Sequence, residues 1–320
     1  MRTILLFAAV SLFAAEFPEA QISNRAITAK LYLPDAEKGY YRGTRFDWSG
    51  QIGSLKTKNH EYFGQWFEKY DPKLHDAIMG PVEEFLTGDS SLGYDEAQVG
   101  GTFVRIGVGS VRKPDEQKYN RFKTYEIVDP GRWTIRPGKD RIEFIHELTD
   151  AAGYSYRYTK LIRLRGSKPE MTIEHKLRNT GRRPIPTLQY NHNFFVIDNA
   201  PTGPDTVVRF PFPVKPKARL AEGYGEIQDG QIVYLKELPK GPSVFSELEG
   251  FGPTAKDFDI RVENRATGAG VRIQGDQPIS KVIFWSIRTT VCPEPYIDVS
   301  VAPGDEKRWT YRYTFYDLER

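Results

Sequence analysis

The sequence predicts a large all-β protein, built as an antiparallel two-sheet sandwich. Short alternating or β-branched runs bounded by turn residues fill most of the 320 residues, and this is the pattern of half-buried strands. Helical periodicity of any length is absent, since the best candidate, Asp76 to Leu86, is interrupted by Gly80-Pro81. No repeat of fixed period is present, which argues against a propeller.

The predicted strands are spread along the whole chain. In the first part they run from Ala29 to Leu33, Ile52 to Leu55, Thr102 to Val111, Thr124 to Ile127, Arg132 to Ile135, Arg141 to Leu148, Tyr154 to Leu164 and Glu170 to Leu177. In the second part they run from Thr206 to Phe210, Ile232 to Leu235, Phe258 to Glu263, Gly270 to Gln274, Lys281 to Ile287, Tyr296 to Val301 and Arg308 to Tyr316. Turns such as Asp129-Pro130-Gly131 separate them. The number of predicted strands is too large for one small barrel, which leaves a large two-sheet sandwich as the expected architecture.

The N-terminus has the pattern of a secretory signal. Met1-Arg2-Thr3 carries a positive charge, and an apolar stretch from Ile4 to Ala15 follows it. The stretch is too short to be a stable membrane anchor. We therefore predict a signal peptide over residues 1–20, cut between Ala14 and Ala20, and a periplasmic or secreted protein.

Residues 21–320 are predicted to form a single domain, because no Ser/Gly linker or low-complexity tract divides them. The only cysteine, Cys292, has no partner within the chain, so the stability of an exported form must come from its core.

The charge balance indicates no nucleic-acid partner. Lys and Arg number 45 against 42 Asp and Glu, and the basic residues are scattered rather than clustered. Aromatic residues make up 13% of the chain, which fits a sugar-stacking site but equally fits the needs of many strands.

One imidazole and one late carboxylate are the best candidates for chemistry. His192 lies in the run Tyr190 to Phe195, directly after a strand-like segment, and Glu294 lies about a hundred residues later between Pro293 and Pro295. A histidine and a glutamate can move protons on opposite sides of one substrate without a metal or cofactor. The alternatives are an imidazole that satisfies backbone groups and a surface acid, since Glu294 is expected in a stiff, exposed turn.

Four further residues are candidates for binding. Arg45 lies in the segment Arg42 to Gly50, whose cations and aromatics suit sugar hydroxyls or a phosphate; the alternative is a strand-edge arginine paired with Asp47. Arg105 shares a predicted strand face with Phe103, either in the site or on a solvated face. The other two are His75, which would line the pocket, and Trp285, which would be a stacking platform or a core residue.

Other kinds of site are not indicated. His60, His146 and His175 lack metal-binding spacing, so neither a metal nor a cofactor is predicted. Gly-x-Ser-x-Gly is missing, and no helix follows Gly107-Val108-Gly109, which disfavours serine hydrolase and dinucleotide-binding interpretations. The acidic residues between Glu83 and Glu96 suit calcium, but a solvated loop is the favoured interpretation.

The order of these elements resembles the aldose 1-epimerases of the galactose mutarotase superfamily. The resemblance covers most of residues 100 to 316 and is carried by the stretch from Ile142 to Asn179 and by the motif Asn191-His192-Asn193-Phe194-Phe195. It continues in Val291-Cys292-Pro293-Glu294-Pro295, followed by the turn at Pro303-Gly304. The N-terminal third departs, because it has no Leu-His-Gly-Gly segment and no Asp-His-x-Phe segment lies near Glu247 to Phe251.

The resemblance implies a β-supersandwich in which His192 is the general acid, Glu294 is the general base and Asn191 contributes to the site. Arg45 and His75 would be the nearest substitutes for the missing histidine. The expected activity is the interconversion of sugar anomers, with a sugar or sugar derivative as the only partner. The alternatives are a non-catalytic carbohydrate-binding protein on the same scaffold and an accessory domain of a lyase or hydrolase.

Overall fold

A computed structural model describes residues 17–218, 220 and 223–319. Residues 1–16, which hold most of the predicted signal peptide, lie outside this range. The first strand is Glu19–Ser23, so the predicted domain boundary at residue 21 lies inside a strand. Phe17 contacts the rings of Tyr32, Tyr40 and Tyr70.

The described residues are almost entirely strands and loops. The strands of the first half are β1 Glu19–Ser23, β2 Thr28–Tyr32, β3 Gln51–Lys56, β4 Val82–Leu86, β5 Thr102–Arg105, β6 Gly109–Arg112, β7 Ile127–Asp129, β8 Arg132–Pro137, β9 Arg141–Ala151, β10 Tyr154–Leu164 and β11 Glu170–Asn179. Those of the second half are β12 Leu188–His192, β13 Thr206–Arg209, β14 Lys215–Pro216, β15 Gly225–Gln228, β16 Gln231–Tyr234, β17 Val244–Glu249, β18 Asp259–Asn264, β19 Ala269–Gly275, β20 Lys281–Ile287, β21 Thr290–Asp298 and β22 Glu306–Asp317. Short 3-10 turns lie at Ile197–Asn199 and Ala255–Asp257. Within the described range, no helix has the length and apolar character needed to cross a membrane.

Two large antiparallel sheets form the body of the molecule. One has ten strands in the order β15-β16-β13-β18-β19-β22-β11-β10-β9-β8, and the other has six in the order β14-β17-β20-β21-β12-β4. Two three-stranded sheets, β1-β2-β3 and β5-β6-β7, complete the fold. The predicted all-β sandwich is therefore confirmed.

The core lies between the two large sheets. Strand β10 alternates buried and half-buried residues along its whole length, which is the pattern of a sheet with one face on a core. From the smaller sheet, Phe85 packs edge-on against Tyr158 and Trp309 of the larger one. The two sheets are thus joined by aromatic packing.

Most predicted strands are found, and two differ in an informative way. Thr102 to Val111 is a hairpin rather than one strand, because the chain turns at Gly107, whose φ is 80°. The expected strand from Tyr296 to Val301 instead begins at Thr290. Glu294 therefore lies inside a central strand and is 4% exposed, so the expectation of an exposed turn is wrong.

The two prolines beside Glu294 interrupt one side of this strand. The ladder between β12 and β21 runs from Leu188 to Tyr190, opposite Asp298 to Tyr296. The next backbone pairing joins Phe195 to Val291. Asn193 Nδ2 donates to the Pro293 carbonyl at 2.7 Å, so Pro293 faces β12, where its nitrogen has no hydrogen to donate. Towards β20 the ladder is continuous.

A polar layer lies buried between the sheets. Lys160 Nζ contacts the Glu83 carboxylate and donates to Asp47 Oδ2 at 3.3 Å, and His175 Nε2 lies 2.8 Å from Glu83 Oε1. Glu83 and Glu84 are both fully buried in β4, so the predicted solvated acidic loop is wrong at these positions. Opposite charges and hydrogen bonds make such burial tolerable.

Candidate active site

His192 and Glu294 meet on the outer face of the six-stranded sheet. Their positions continue the register that pairs Tyr190 with Tyr296, two residues further along each strand. Residues opposite each other in this way project from the same face. His192 Nε2 lies 3.1 Å from Glu294 Oε1, and both side chains are about 5% exposed, at 6% and 5%.

Aromatic rings surround the imidazole. The ring of Phe194 stacks on His192 with centroids 3.7 Å apart, while Phe46 and Trp285 meet it edge-on at 5.8 and 5.5 Å. His192 Nδ1 is buried and has no hydrogen-bond partner among the described residues. Because a buried polar atom is costly to leave unpaired, this nitrogen marks the site as one that suits a polar ligand.

Burial decides the protonation of the pair. It raises the pKa of Glu294 to about 8, because burial and the nearby carboxylates of Glu84 and Asp76 outweigh the Arg45 and Arg121 guanidiniums. Burial and the same two guanidiniums hold the pKa of His192 well below its usual value. Near neutral pH, Glu294 is therefore protonated and His192 is neutral.

Glu84 anchors a cluster of three arginines beside this pair. Its carboxylate accepts from Arg45 Nε at 3.0 Å and Arg121 Nη2 at 2.6 Å, and Arg105 lies 3.4 Å away. Tyr190 donates its hydroxyl hydrogen to the same carboxylate at 2.5 Å. Burial alone would raise the pKa of Glu84, but the guanidiniums of Arg121, Arg45 and Arg105 lower it to about 2.

Arg45 lies between the buried carboxylate of Glu84 and the partly exposed carboxylate of Asp76. It donates to Asp76 Oδ1 at 2.5 Å as well as to Glu84, and it pairs with neither oxygen of Asp47. His75 Nε2 lies 2.9 Å from Asp76 Oδ2 and is partly exposed, so the structure brings both predicted residues to one place. Phe122 covers them, with its ring 4.9 Å from the Arg45 guanidinium and 51% exposed.

Trp285 lies beside the pair, whereas two other residues predicted for the site are placed differently. Asn191 faces the core, where its Nδ2 donates to Glu83 and Tyr313, because alternate residues of β12 project from opposite faces. It does not line the site, which corrects its assignment to substrate binding. Arg105 is 2% exposed and its guanidinium contacts the Arg45 carbonyl and Tyr119, so the solvated-face interpretation is wrong.

Several residues of the site were missed in the sequence. Tyr190 and Tyr296, whose rings stack at 4.2 Å, each lie two residues from His192 or Glu294, so strand alternation alone identifies them. Glu83 and Glu84 lie between Val82 and Phe85-Leu86, and these apolar neighbours are the one local sign of burial. Arg121 and Phe122 come from a loop whose sequence carries no such signal.

A second histidine site offers poorer chemistry. An open cavity of about 580 Å³ lies beside His60, away from the residues described above. Both His60 nitrogens face carboxylates, Nδ1 at 2.8 Å from Asp198 and Nε2 at 3.5 Å from Asp317, which leaves no free nitrogen for a substrate. The described residues contain no group of three or more His, Cys, Asp or Glu residues suited to hold a metal ion.

Solved structures share this architecture. A GalM/aldose epimerase homologue from C. elegans matches with a TM-score of 0.57 at 12% identity, over 94% of this chain and 99% of its own. A galactose mutarotase related enzyme from Lactobacillus acidophilus matches at 0.54 and 12%, over 94% and 100%. A galactose mutarotase-like protein from Clostridium acetobutylicum matches at 0.54 and 12%, over 93% and 95%.

The fold is thus that of the aldose 1-epimerase and galactose mutarotase-like proteins, and the resemblance stated from the sequence is confirmed at that level. No protein-family model matches the sequence. No curated protein matches it either.

Proposed function

We propose that this protein interconverts the anomers of a sugar or sugar derivative, with His192 and Glu294 as its acid-base pair. The observation that carries the proposal is the 3.1 Å contact between His192 Nε2 and Glu294 Oε1 on the outer sheet face. Buried groups with shifted pKa values beside a cluster of polar donors are typical of acid-base sites. The fold shared with mutarotase-like proteins supports the same reaction class.

The closeness of the pair suits the chemistry of an anomeric centre. The hydroxyl that loses a proton and the ring oxygen that gains one are bonded to the same carbon. The acid and base therefore need not act from opposite sides of the sugar, the arrangement expected from the sequence. Two groups side by side on one face reach both oxygens from the same edge of the ring.

The pair carries one proton in its resting state, on Glu294 rather than on His192. The expected mechanism starts from the opposite arrangement, with His192 protonated and Glu294 ionised. Moving the proton between the two groups gives that arrangement without changing the charge of the site, and Arg45 and Arg121 stabilise the carboxylate it creates. His192 then donates to the ring oxygen while Glu294 takes the hydroxyl proton, the ring opens, and closure gives either anomer.

Polarimetry of freshly dissolved glucose and galactose tests the proposal. We expect the protein to accelerate mutarotation, and His192→Ala and Glu294→Gln each to reduce the acceleration by roughly 10²-fold or more. Glu143→Gln is the matched control, because Glu143 pairs with Arg136 on the other sheet. A wild-type protein that accelerates no aldose, pentose or uronic acid contradicts the proposal.

Carbohydrate binding without catalysis is the second candidate. The loss of the Leu-His-Gly-Gly segment and the protonated state of Glu294 favour it. Calorimetric binding of a sugar without any acceleration of its mutarotation identifies a binder.

We further propose that the protein is exported to the periplasm or outside the cell, on the basis of the charged and apolar segment before Ala15. Cleavage at or before Pro18 leaves β1 whole, since this strand begins at Glu19. Intact-mass analysis of the protein from a native host checks this. A mature protein that retains Met1 contradicts export by this route.

A further inference from the structure

The face that carries the candidate site extends beyond it towards one edge of the sheet. In register, Trp285 of β20 lies opposite Cys292 of β21, and Phe245 of β17 lies opposite Trp285. Cross-strand partners project from the same face, so Phe245 is on the face of His192, one strand beyond the indole that touches the imidazole.

Phe245 is unusually exposed to solvent for an aromatic residue in a strand. It is 54% exposed, while Ile283 beside it on the same face is 9% exposed. Trp285 is partly exposed and meets Trp66 as well as His192, so its position is fixed by packing. Together the two rings give an apolar surface that continues from the buried pair to solvent.

Charged groups lie along this surface. Glu247, which lies opposite Ile283 in the ladder, contacts Lys217 Nζ at 2.5 Å and Lys281 Nζ at 3.9 Å. The Lys281 ammonium also lies 5.6 Å from the centre of the Tyr296 ring. The strip therefore combines exposed aromatic carbon with one carboxylate and two ammonium groups.

This combination matches the chemistry of a second sugar ring. A pyranose has a face of C–H groups that packs on aromatic carbon, and a rim of hydroxyls that both donate and accept hydrogen bonds. The carboxylate of Glu247 accepts and the ammonium of Lys281 donates. A monosaccharide over His192 would leave the strip uncovered, since β17 lies two strands from β21, roughly 10 Å at about 4.8 Å per strand.

We propose that Phe245, Trp285, Glu247 and Lys281 form a subsite for a second sugar residue, so that the preferred ligand is a reducing disaccharide or oligosaccharide. Its reducing-end ring lies at His192 and Glu294, and the next ring covers Phe245. This inference rests on the proposed function in placing the reducing end, but the subsite itself is defined by the surface residues.

Paired rate measurements test the subsite, with maltose and lactose each compared with glucose, the sugar at both reducing ends. The wild-type kcat/KM for mutarotation is expected to be higher for at least one disaccharide than for its monosaccharide. Phe245→Ala should lower that ratio by about threefold to tenfold, the effect of one lost stacking contact. Leu235→Ala is the matched control, because Leu235 is 50% exposed and lies outside this face, and it should leave the ratio as in the wild type.

Direct titration of the whole protein with maltose and maltotriose separates the subsite from the catalytic proposal. If no sugar is epimerised but Phe245→Ala still weakens maltotriose binding by about threefold to tenfold, the subsite stands and the proposed reaction fails. If Phe245→Ala changes neither the preference for a disaccharide nor the affinity for maltotriose, the subsite is overturned, whether or not the protein is an epimerase.

Discussion

Glu83 and Glu84 are adjacent in β4 and point in opposite directions. Glu83 contacts Lys160 and His175 between the two sheets, while Glu84 contacts Arg45 and Arg121 in the candidate site. Both carboxylates are fully buried. A single strand thus supplies one acid to the interior and one to the site, and the two can be changed separately.

Replacing each acid should give a different result. Glu84→Gln leaves three guanidiniums without their shared anion, and we expect a loss of about 3–5 kcal/mol in the free energy of unfolding. It should also lower the pKa of Glu294, because Glu84 raises that pKa and Arg45 and Arg121 lower it. Glu83→Gln should destabilise the protein without this shift. Urea unfolding and infrared titration of the Glu294 carboxyl measure the two effects, and equal shifts in both variants would contradict the assignment.

The rate of mutarotation should have a flat range that ends near pH 8. The pair needs its single proton, and the pKa of Glu294 is raised to about 8, so activity is expected to fall as the pH rises through that value. On the acid side, the pair gains a second proton, on His192, only well below pH 6.5, so the rate is expected to stay flat down to that range. Initial rates of optical rotation between pH 5 and pH 10, corrected for the uncatalysed reaction, measure the profile. A rate that rises steadily up to pH 10 would be inconsistent with a shared proton.

Stability should depend on pH through the same carboxyl. The pKa of Glu294 is raised from 4.5 to about 8, so the folded state holds a proton that the unfolded chain releases. This stabilisation is complete below about pH 4.5 and is lost as the pH rises through 8, a difference on the order of a few kcal/mol. Glu294→Gln removes the dependence. Urea midpoints of the two proteins should therefore be closest at pH 4.5 and should increasingly favour the variant up to pH 9.

Phe122 should contribute to substrate affinity rather than to chemistry. Its exposed ring lies over Arg45, and 5.3 Å from His75, at the rim of the site. Phe122→Ala should raise KM about threefold to tenfold and change kcat little, because an aromatic contact at the rim acts on the bound and activated sugar alike. Val128→Ala, at a residue 43% exposed outside the site, is the control. A large fall in kcat would instead place Phe122 in the chemical step.

The sequence was sufficient to predict the sandwich and it singled out His192 and Glu294, which lie together, but it was insufficient for their surroundings. Period-two alternation predicts strands such as Tyr154–Leu164, because one face of each is buried. Pro293 and Pro295 misled the prediction for Glu294, since prolines normally exclude a central strand. The strand tolerates them because they interrupt only its pairing with β12, while its ladder to β20 is continuous.

The arginine cluster could not be predicted at all. Arg121 lies in a loop, and its contact with Glu84 spans 37 positions of the sequence, so no local pattern links them. Asn191 shows the opposite case, because its neighbour His192 suggested a shared role while strand alternation sends the two side chains to different faces.

The interrupted ladder beside Glu294 has a mechanical consequence. Between the pairing of Tyr190 with Tyr296 and that of Phe195 with Val291, no ladder pair joins β12 to β21 in the described residues. Phe194, two residues after the end of β12, has a φ of 42°, a strained value for a residue other than glycine. Glu294 is fixed by the continuous ladder to β20, and His192 by the ladder that pairs β12 with β4, so the two strands are held from opposite sides. The distance between His192 and Glu294 is therefore set by side-chain contacts, since no backbone ladder between β12 and β21 fixes it in this stretch.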